Sequence, residues 1–465
     1  MRERNRRVRQ AVNRAFSGLG GETIDTAADK RRRRAAPLRR ALVDRSITLL
    51  RDPQGLLRWQ LGASPLPSPG HRALANATAR RTGLRRAPLA VTPVLTQSFF
   101  DRIEPSKIGQ WLKAADQNLT RPAWNQRGEL WGLRRLTRAA NLVPFEAGEL
   151  PKLKDKKVLL IVHGTFSNSD AVLSDLRAAP GGAALLSAAV DKYDYVLAFD
   201  HPTLGQSPML NAFDLASRFS LGVPKSLHLI AHSRGGLVVR WFCEGFRHPA
   251  MNCHAILVGS PLAGTSLAAL ARARAVMDFL ANVGDTVSTV SSLGGGIILS
   301  LSSTLAGLFA RVAGTLSTPL ADAIVALVPG LAAQSREGGN AELRALRINT
   351  GTFDFSDEQS PVRYAVVRSD FAPIAEGAWG FIKSFVTRPG ASALDVATNF
   401  IFEEANDLVV NTASMDETGE LAGPPPVRAV IATVAHDFGT SPTVHHCNYF
   451  QQRETIKAIR TIFKF

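Results

Sequence analysis

Leu229-Ile230-Ala231-His232-Ser233-Arg234-Gly235-Gly236-Leu237 is the stretch on which the reading of the whole chain turns. Aliphatic residues make a strand that runs directly into a serine and a glycine pair, and Leu237-Val238-Val239-Arg240 then starts a helix. So sharp a turn forces the serine into a strained backbone conformation and leaves no room for side chains two positions away. Ala231 and Gly235 stand at those two places. The helix aims its positive end at the space beside the serine. Ser233 is therefore the expected nucleophile.

A nucleophile on such a turn needs donors for the negative oxygen that develops on its target, then a base, then an acid to orient the base. Upstream, Leu159 to Val162 is a strand that ends in His163-Gly164-Thr165-Phe166, a loop suited to supply half of an oxyanion hole. The backbone N–H groups of Thr165 and Arg234 are the expected donors. Because backbone carries that role, the side chains of Thr165 and Arg234 are expected to be replaceable. His163 and Gly164 are read as support for the loop. For the acid, Asn406-Asp407 precedes the apolar run Leu408 to Val410, which puts Asp407 first; Asp370, ending the run from Arg363, is the alternative. Either could instead be a helix cap or turn residue. For the base, Val444 to Phe450 follows the last expected strand. His446 is placed ahead of His445, with His436 third.

Working outward, strands and helices alternate from Val158, which calls for a mostly parallel sheet flanked by helices. The expected strands are Val158–Val162, Tyr195–Phe199, Ser226–Ala231, Ala255–Val258, Arg363–Arg368 and Val427–Val434. A shorter strand-like run covers Glu129–Leu133, and helical spacing covers Ile108–Ala115. Between about 264 and 345 the alternation gives way to an Ala/Leu/Ser/Gly-rich tract, uncharged from Thr286 to Ala310. Its many serines and glycines make a helical lid a better reading than a membrane span. The organisation expected is a basic arm over 1–90, a mixed extension over 91–150 packing on the body, and the α/β domain over 151–465.

The net charge of +16 sits almost entirely in the arm. Residues 1–90 hold 21 Lys and Arg against 6 Asp and Glu, so the remainder of the 465 residues is close to neutral. Val8, Ala11, Val12, Ala15, Phe16 and Leu19 fall at helical spacing opposite Arg2, Arg6, Arg7, Arg9 and Arg14. This basic amphipathic helix suits either peripheral contact with an anionic membrane or docking on the body with a solvated Arg face. Nucleic acid is a poor partner, because no recognition fold or aromatic interleaving accompanies the charge. Cys243, Cys253 and Cys447 lack the number and spacing of a disulfide framework or a zinc site, and read as small buried hydrophobes. Nor do the adjacent histidines 445 and 446 suggest a metal, since neighbouring side chains diverge. No metal or cofactor is expected, and the absence of an apolar leader favours a cytoplasmic location.

His163–Asp170 (HGTFSNSD), His232–Arg240 (HSRGGLVVR), Gly259–Ala268 (GSPLAGTSLA), Asn406–Val410 (NDLVV) and His446–Phe450 (HCNYF) together resemble the bacterial lipase and esterase branch of the α/β-hydrolase superfamily. The resemblance spans roughly residues 155 to 465. It implies the α/β-hydrolase fold, a triad of Ser233, Asp407 and His446, a GSP loop lining the acyl site and an insertion forming a lid. It also favours His446 over His445. Ala231 stands where a glycine is more usual, and the insertion is long. The expected activity is cleavage of carboxylic esters of hydrophobic acyl groups, with a lipid or other hydrophobic ester as substrate. Thioester or amide cleavage by the same triad, or a non-catalytic binding protein on this fold, are the alternatives.

Overall fold

The computed structural model describes residues 131–265, 328–336, 340–350, 361–371, 406–407, 409–421 and 428–465. It also describes residues 5–10, 12–13, 23–25, 46–51, 57–61 and 92–99, the helical pairs 109–110, 112–113 and 116–117, and single helical positions at 281, 303 and 306. The lid expected over about 264–345 falls mostly outside them, as does the uncharged tract apart from two positions. The chain divides into two compact units, Met1–Trp111 with Ala273–Ile324, and Leu112–Arg272 with Val325–Phe465.

The larger unit is built on eight strands: β1 Gly132–Leu136, β2 Leu142–Pro144, β3 Lys157–Val162, β4 Tyr195–Asp200, β5 Ser226–His232, β6 Asn252–Val258, β7 Val362–Phe371 and β8 Thr433–Ser441. In space their order is β2-β1-β4-β3-β5-β6-β7-β8. β1 runs antiparallel to β2 and β4, and every pairing from β4 to β8 is parallel. A parallel sheet needs crossovers, and these place helices on both faces. The strands accordingly read as unbroken apolar runs. On β3, Val158, Leu160 and Val162 enter one core while Leu159 and Ile161 enter the other. β6 divides likewise, with Ala255 and Leu257 on the first face and Ile256 and Val258 on the second.

The first core is covered by α3 (Pro208–Phe219), through Ala212, Leu215 and Phe219, and by α4 (Gly235–Arg240), through Leu237, Val238 and Val239. Leu343 and Leu346 of α5 (Ala341–Thr350) join them. The second core is covered by α1 (Ser169–Ala178), α2 (Gly182–Lys192) and α6 (Arg453–Phe463). Asn168 caps α1 through Ala171 N–H, and Ser207 caps α3 ahead of Pro208, the residue best suited to a first turn.

Two strand boundaries differ from expectation. The first strand begins at Gly132, three residues later than the Glu129–Leu133 run. The run 427–434 is divided at Ala432, whose N–H donates to Asp416 O. Arg428–Ile431 pairs with Glu417–Leu421 as a separate hairpin, and only from Thr433 does the chain join the central sheet.

The smaller unit contains a four-stranded antiparallel sheet in the order Thr23–Asp25, Thr92–Phe99, Ser46–Arg51, Leu57–Leu61. Strands had not been expected here; on Ser46–Arg51 the consecutive residues Ile47, Thr48 and Leu49 are all fully buried, with no alternation to mark the strand. Residues 5–10 and 12–13 are helical, with Val8 and Val12 fully buried. Arg9 Nη2 donates to Val94 O at 2.6 Å, and Arg51 Nε donates to Asn5 Oδ1 at 2.6 Å. The described apolar positions of this helix are out of solvent, while Arg6 and Arg7 lie exposed.

Candidate active site

β5 ends at His232, and the next residue, Ser233, adopts φ of 54°, in the left-handed region that branched-carbon residues avoid. Ser233 N–H donates to Val258 O at 2.9 Å, so the bend is tied to the adjacent strand β6. A side chain at position 235 would meet the carbonyl oxygens of His163 and Val162 at 2.7 Å each, which is the close approach that reserves the place for glycine. A Cβ at Gly164 would likewise meet Ser233 Cβ at 2.7 Å. The His163–Thr165 loop therefore lies directly against the serine.

Ser233 Oγ lies 2.8 Å from Nε2 of His446. The Nδ1 of that ring lies 2.9 Å from Asp407 Oδ2. All three side chains are nearly out of solvent, at 5%, 6% and 0% exposure. Asp407 Oδ1 accepts from the N–H groups of Val409 (3.1 Å) and Val410 (2.8 Å), and Oδ2 also accepts from Tyr449 OH at 3.0 Å. His446 N–H donates to Asp407 O at 3.0 Å, a second link between acid and imidazole. Asp407 is thus a turn residue and an imidazole partner at once, one oxygen for each.

Asp370 and His445, the alternatives, are engaged elsewhere. Asp370 accepts from Asn406 N–H (3.2 Å) and Thr440 Oγ1 (3.0 Å), fastening the segment that carries Asp407 to β8. His445 packs edge-on to Phe371, and burial pushes its imidazole down to about 4. His436 lies on β8 against Phe438.

His163 is fully buried, with Nδ1 2.9 Å from Gly164 O and Nε2 accepting from His201 N–H at 3.2 Å. Those partners assign the proton to Nδ1. Burial lowers its affinity for a second proton, against the pull of Asp200 3.7 Å away, so the ring is a neutral brace. The backbone N–H groups of Thr165 and Arg234 have no acceptor among the described residues. Both belong to the segments that meet at Ser233.

The side chains of Thr165 and Arg234, expected from the sequence to be replaceable, both carry hydrogen bonds. Thr165 Oγ1 exchanges hydrogen bonds with the Gln334 amide at 3.2 to 3.3 Å. Arg234 is completely buried; its Nη2 donates to Gln206 O (2.6 Å) and Asn211 Oδ1 (2.7 Å), while Nε and Nη1 find no partner among the described residues. Desolvation pushes this guanidinium down to about 10, opposed by Asp116. A backbone role says nothing about where the side chain goes.

Three residues escaped the sequence reading. Tyr449 was legible only as part of HCNYF; its ring fills the space that a side chain at Gly259 would take, 2.6 Å away. His232 Nε2 lies 2.9 Å from His446 O, and burial beside His446 pushes its imidazole down to about 3, so it donates as a neutral ring. Asp116 carried no local signal at all. Among the described residues no cluster is arranged to hold a metal ion, and no helix is long and apolar enough to cross a membrane.

A mostly parallel sheet with a serine on the bend after its fifth strand, and a histidine delivered after its eighth, has the architecture of an α/β-hydrolase. The chain belongs to the family described as "Domain of unknown function (DUF7379)", which it matches over residues 133–464. No curated protein matches it. Among solved structures, the lipase BlEst2 of Bacillus licheniformis in its mature form is similar at 14% identity and TM-score 0.30, covering 67% of this chain and 91% of that one. Lipase 1 from Pelosinus fermentans is similar at 15% identity and TM-score 0.34, covering 63% and 94%. A bacterial membrane phospholipase A is similar at 12% identity and TM-score 0.33, covering 77% and 91%. These likenesses bear on neither substrate nor activity.

Proposed function

We propose that this protein is a serine hydrolase that cleaves carboxylic esters of hydrophobic acyl groups through an acyl-Ser233 intermediate. The observation that carries the reading is the unbroken chain Ser233 Oγ, His446 Nε2, His446 Nδ1, Asp407 Oδ2, with links of 2.8 and 2.9 Å. His446 takes the hydroxyl proton as Ser233 Oγ bonds to the ester carbonyl carbon. The resulting oxyanion is received by the N–H groups of Thr165 and Arg234, each donor being worth about 3 kcal/mol of the barrier. Collapse expels the alcohol, which leaves with the proton from His446. Water then repeats the sequence on the acyl-enzyme, with His446 again as base, releasing the acid and restoring the serine. Asp407 stays ionised throughout and stabilises the imidazolium.

A hydrophobic acyl group is supported by the uncharged stretch from Thr286 to Ala310, inserted soon after the Gly259–Ala268 loop. Labelling with a fluorophosphonate tests the mechanism, comparing the parent with Ser233→Ala and His446→Ala. A panel of esters, with matched thioesters, then tests the substrate. Parent labelling that is lost in both variants, with preference for acyl chains of eight carbons or more, is expected. Labelling that survives Ser233→Ala would move the nucleophile elsewhere, and preference for two-carbon chains would remove the lipid-like substrate. Faster turnover of the thioesters beyond their intrinsic reactivity would change the bond. An inert parent would leave a binding protein.

Contact with an anionic lipid surface belongs to the same proposal, supported by the charge of residues 1–90 and the exposure of Arg6 and Arg7. Replacing Arg6 and Arg7 by Gln should weaken sedimentation with anionic vesicles and spare turnover of a soluble ester. Unchanged vesicle binding would end that part.

A further inference from the structure

The carboxylate of Asp116 is almost fully buried and accepts hydrogen bonds from one short loop. Thr203 N–H lies at 2.7 Å and Thr203 Oγ1 at 3.1 Å; Leu204 N–H reaches both oxygens, at 2.9 and 3.1 Å; Gly205 N–H lies at 2.7 Å. Three consecutive backbone donors converging on one carboxylate fix the conformation of that loop as an anion in a backbone nest does. The acid comes from a segment 87 residues earlier in the chain.

What the loop touches gives this clamp a role. Thr203 Oγ1 donates to Asp116 and accepts from Phe166 N–H at 3.3 Å, and Phe166 directly follows Thr165 with φ of 57°. At the other end of the loop, Gln206 O receives the buried guanidinium of Arg234 at 2.6 Å. Asp116 also draws Arg234 electrostatically. One carboxylate thus holds the loop whose two ends bond to the neighbour of Thr165 and to the side chain of Arg234.

We infer that Asp116 is a positioning residue for the oxyanion hole, acting through the Thr203–Gln206 loop on Thr165 and on Arg234. The inference rests on the serine-hydrolase reading and adds a residue outside the triad and its neighbouring motifs. Asparagine at 116 would turn an NH2 group toward backbone N–H donors, so Asp116→Asn opens the clamp with almost no change in volume. Thr203→Val removes only the hydroxyl relay to Phe166.

The test uses the full-length protein, with kcat and KM on a soluble ester, affinity for an alkyl boronic acid that forms a tetrahedral adduct on the serine, affinity for the planar carboxylic acid product, and thermal unfolding. Asp116→Asn should lower kcat about 10- to 100-fold, less than or equal to the loss of one donor, with KM within about threefold. Boronic acid affinity should fall alongside kcat, and product affinity should hold. Thr203→Val should show the same pattern at about three- to tenfold. A folded Asp116→Asn with kcat within about twofold of the parent, or a loss confined to KM and product binding, would overturn the inference. Should Asp116→Asn not fold, Thr203→Val decides by the same criterion. A parent with no turnover would overturn the hydrolase reading and this inference with it, whereas an active parent with unaffected variants would overturn the inference alone.

Discussion

β5 carries a histidine near each end, and the two ends are put to different uses. At its amino end His228 Nδ1 lies 2.5 Å from Tyr193 OH and its ring stacks on Phe463, with His254 of the neighbouring strand in register beside it. Burial, the largest cause, and then nearby cations push both His228 and His254 down to about 4. At the carboxyl end His232 is half-buried like His228, and desolvation pushes it lower still. A half-buried, desolvated imidazole is therefore common to both ends and identifies neither as a reactive centre. The carboxyl end differs in its backbone, where the bend at Ser233 presents a hydroxyl to a second imidazole held by a buried carboxylate. Strained geometry plus a complete chain of partners sets it apart.

The sharpest break of this contrast is at the hydroxyl. Ser233→Ala and His446→Ala should each lower kcat on a soluble ester by about 10⁴- to 10⁶-fold, read by steady-state kinetics, with unfolding temperature little changed. Equal losses from His228→Gln would erase the distinction between the two ends. Next comes the choice of acid: Asp407→Asn should cost about 10³- to 10⁴-fold in kcat by favouring the wrong imidazole tautomer. Asp370→Asn should cost far less turnover and appear chiefly in thermal unfolding, because its partners are a backbone N–H and a threonine.

A smaller effect is expected at the bend itself. Gly235→Ala drives a methyl group into two carbonyl oxygens and should destabilise the fold by about 1–3 kcal/mol in urea unfolding, with the fluorophosphonate reaction slowed in the molecules that remain folded. The smallest effect belongs to the amino end. For His228 and His254 the folded pKa, about 4, lies below the ordinary value of 6.5, so below pH 6.5 the unfolded chain binds protons that the folded one refuses. Stability contributed by keeping these rings neutral is present above pH 6.5 and is lost as pH falls toward 4. His254→Gln should flatten the fall in unfolding temperature across that window and leave kcat unchanged at pH 8. An undiminished slope would show that His254 does not contribute to the acid sensitivity.

How much of this was legible follows from where each constraint acts. The bend around Ser233 can be read because its geometry excludes side chains at fixed distances along the chain, and the flanking small residues record that exclusion. The parallel sheet can be read because strands buried on both faces need unbroken apolar runs. Asp407 and His446 were ranked by chain order and local context, and the competitors Asp370 and His445 lie close enough in sequence to share most of that context. Only coordinates show that one acid faces the imidazole while the other pins the turn. Asp116 left no trace, since its partners are mostly backbone N–H groups, which any sequence supplies. The same holds for the Arg234 side chain, whose destination depends on a loop and a helix formed elsewhere.

The hydroxyl at position 233 and the imidazole that would activate it are separated by 213 residues of chain. During synthesis the bend is made long before its partner exists, and under the proposed mechanism the serine stays idle until the segment carrying His446 has emerged and docked. The same mechanism predicts that a product truncated between residues 233 and 446 hydrolyses no ester, whatever part of the sheet it retains.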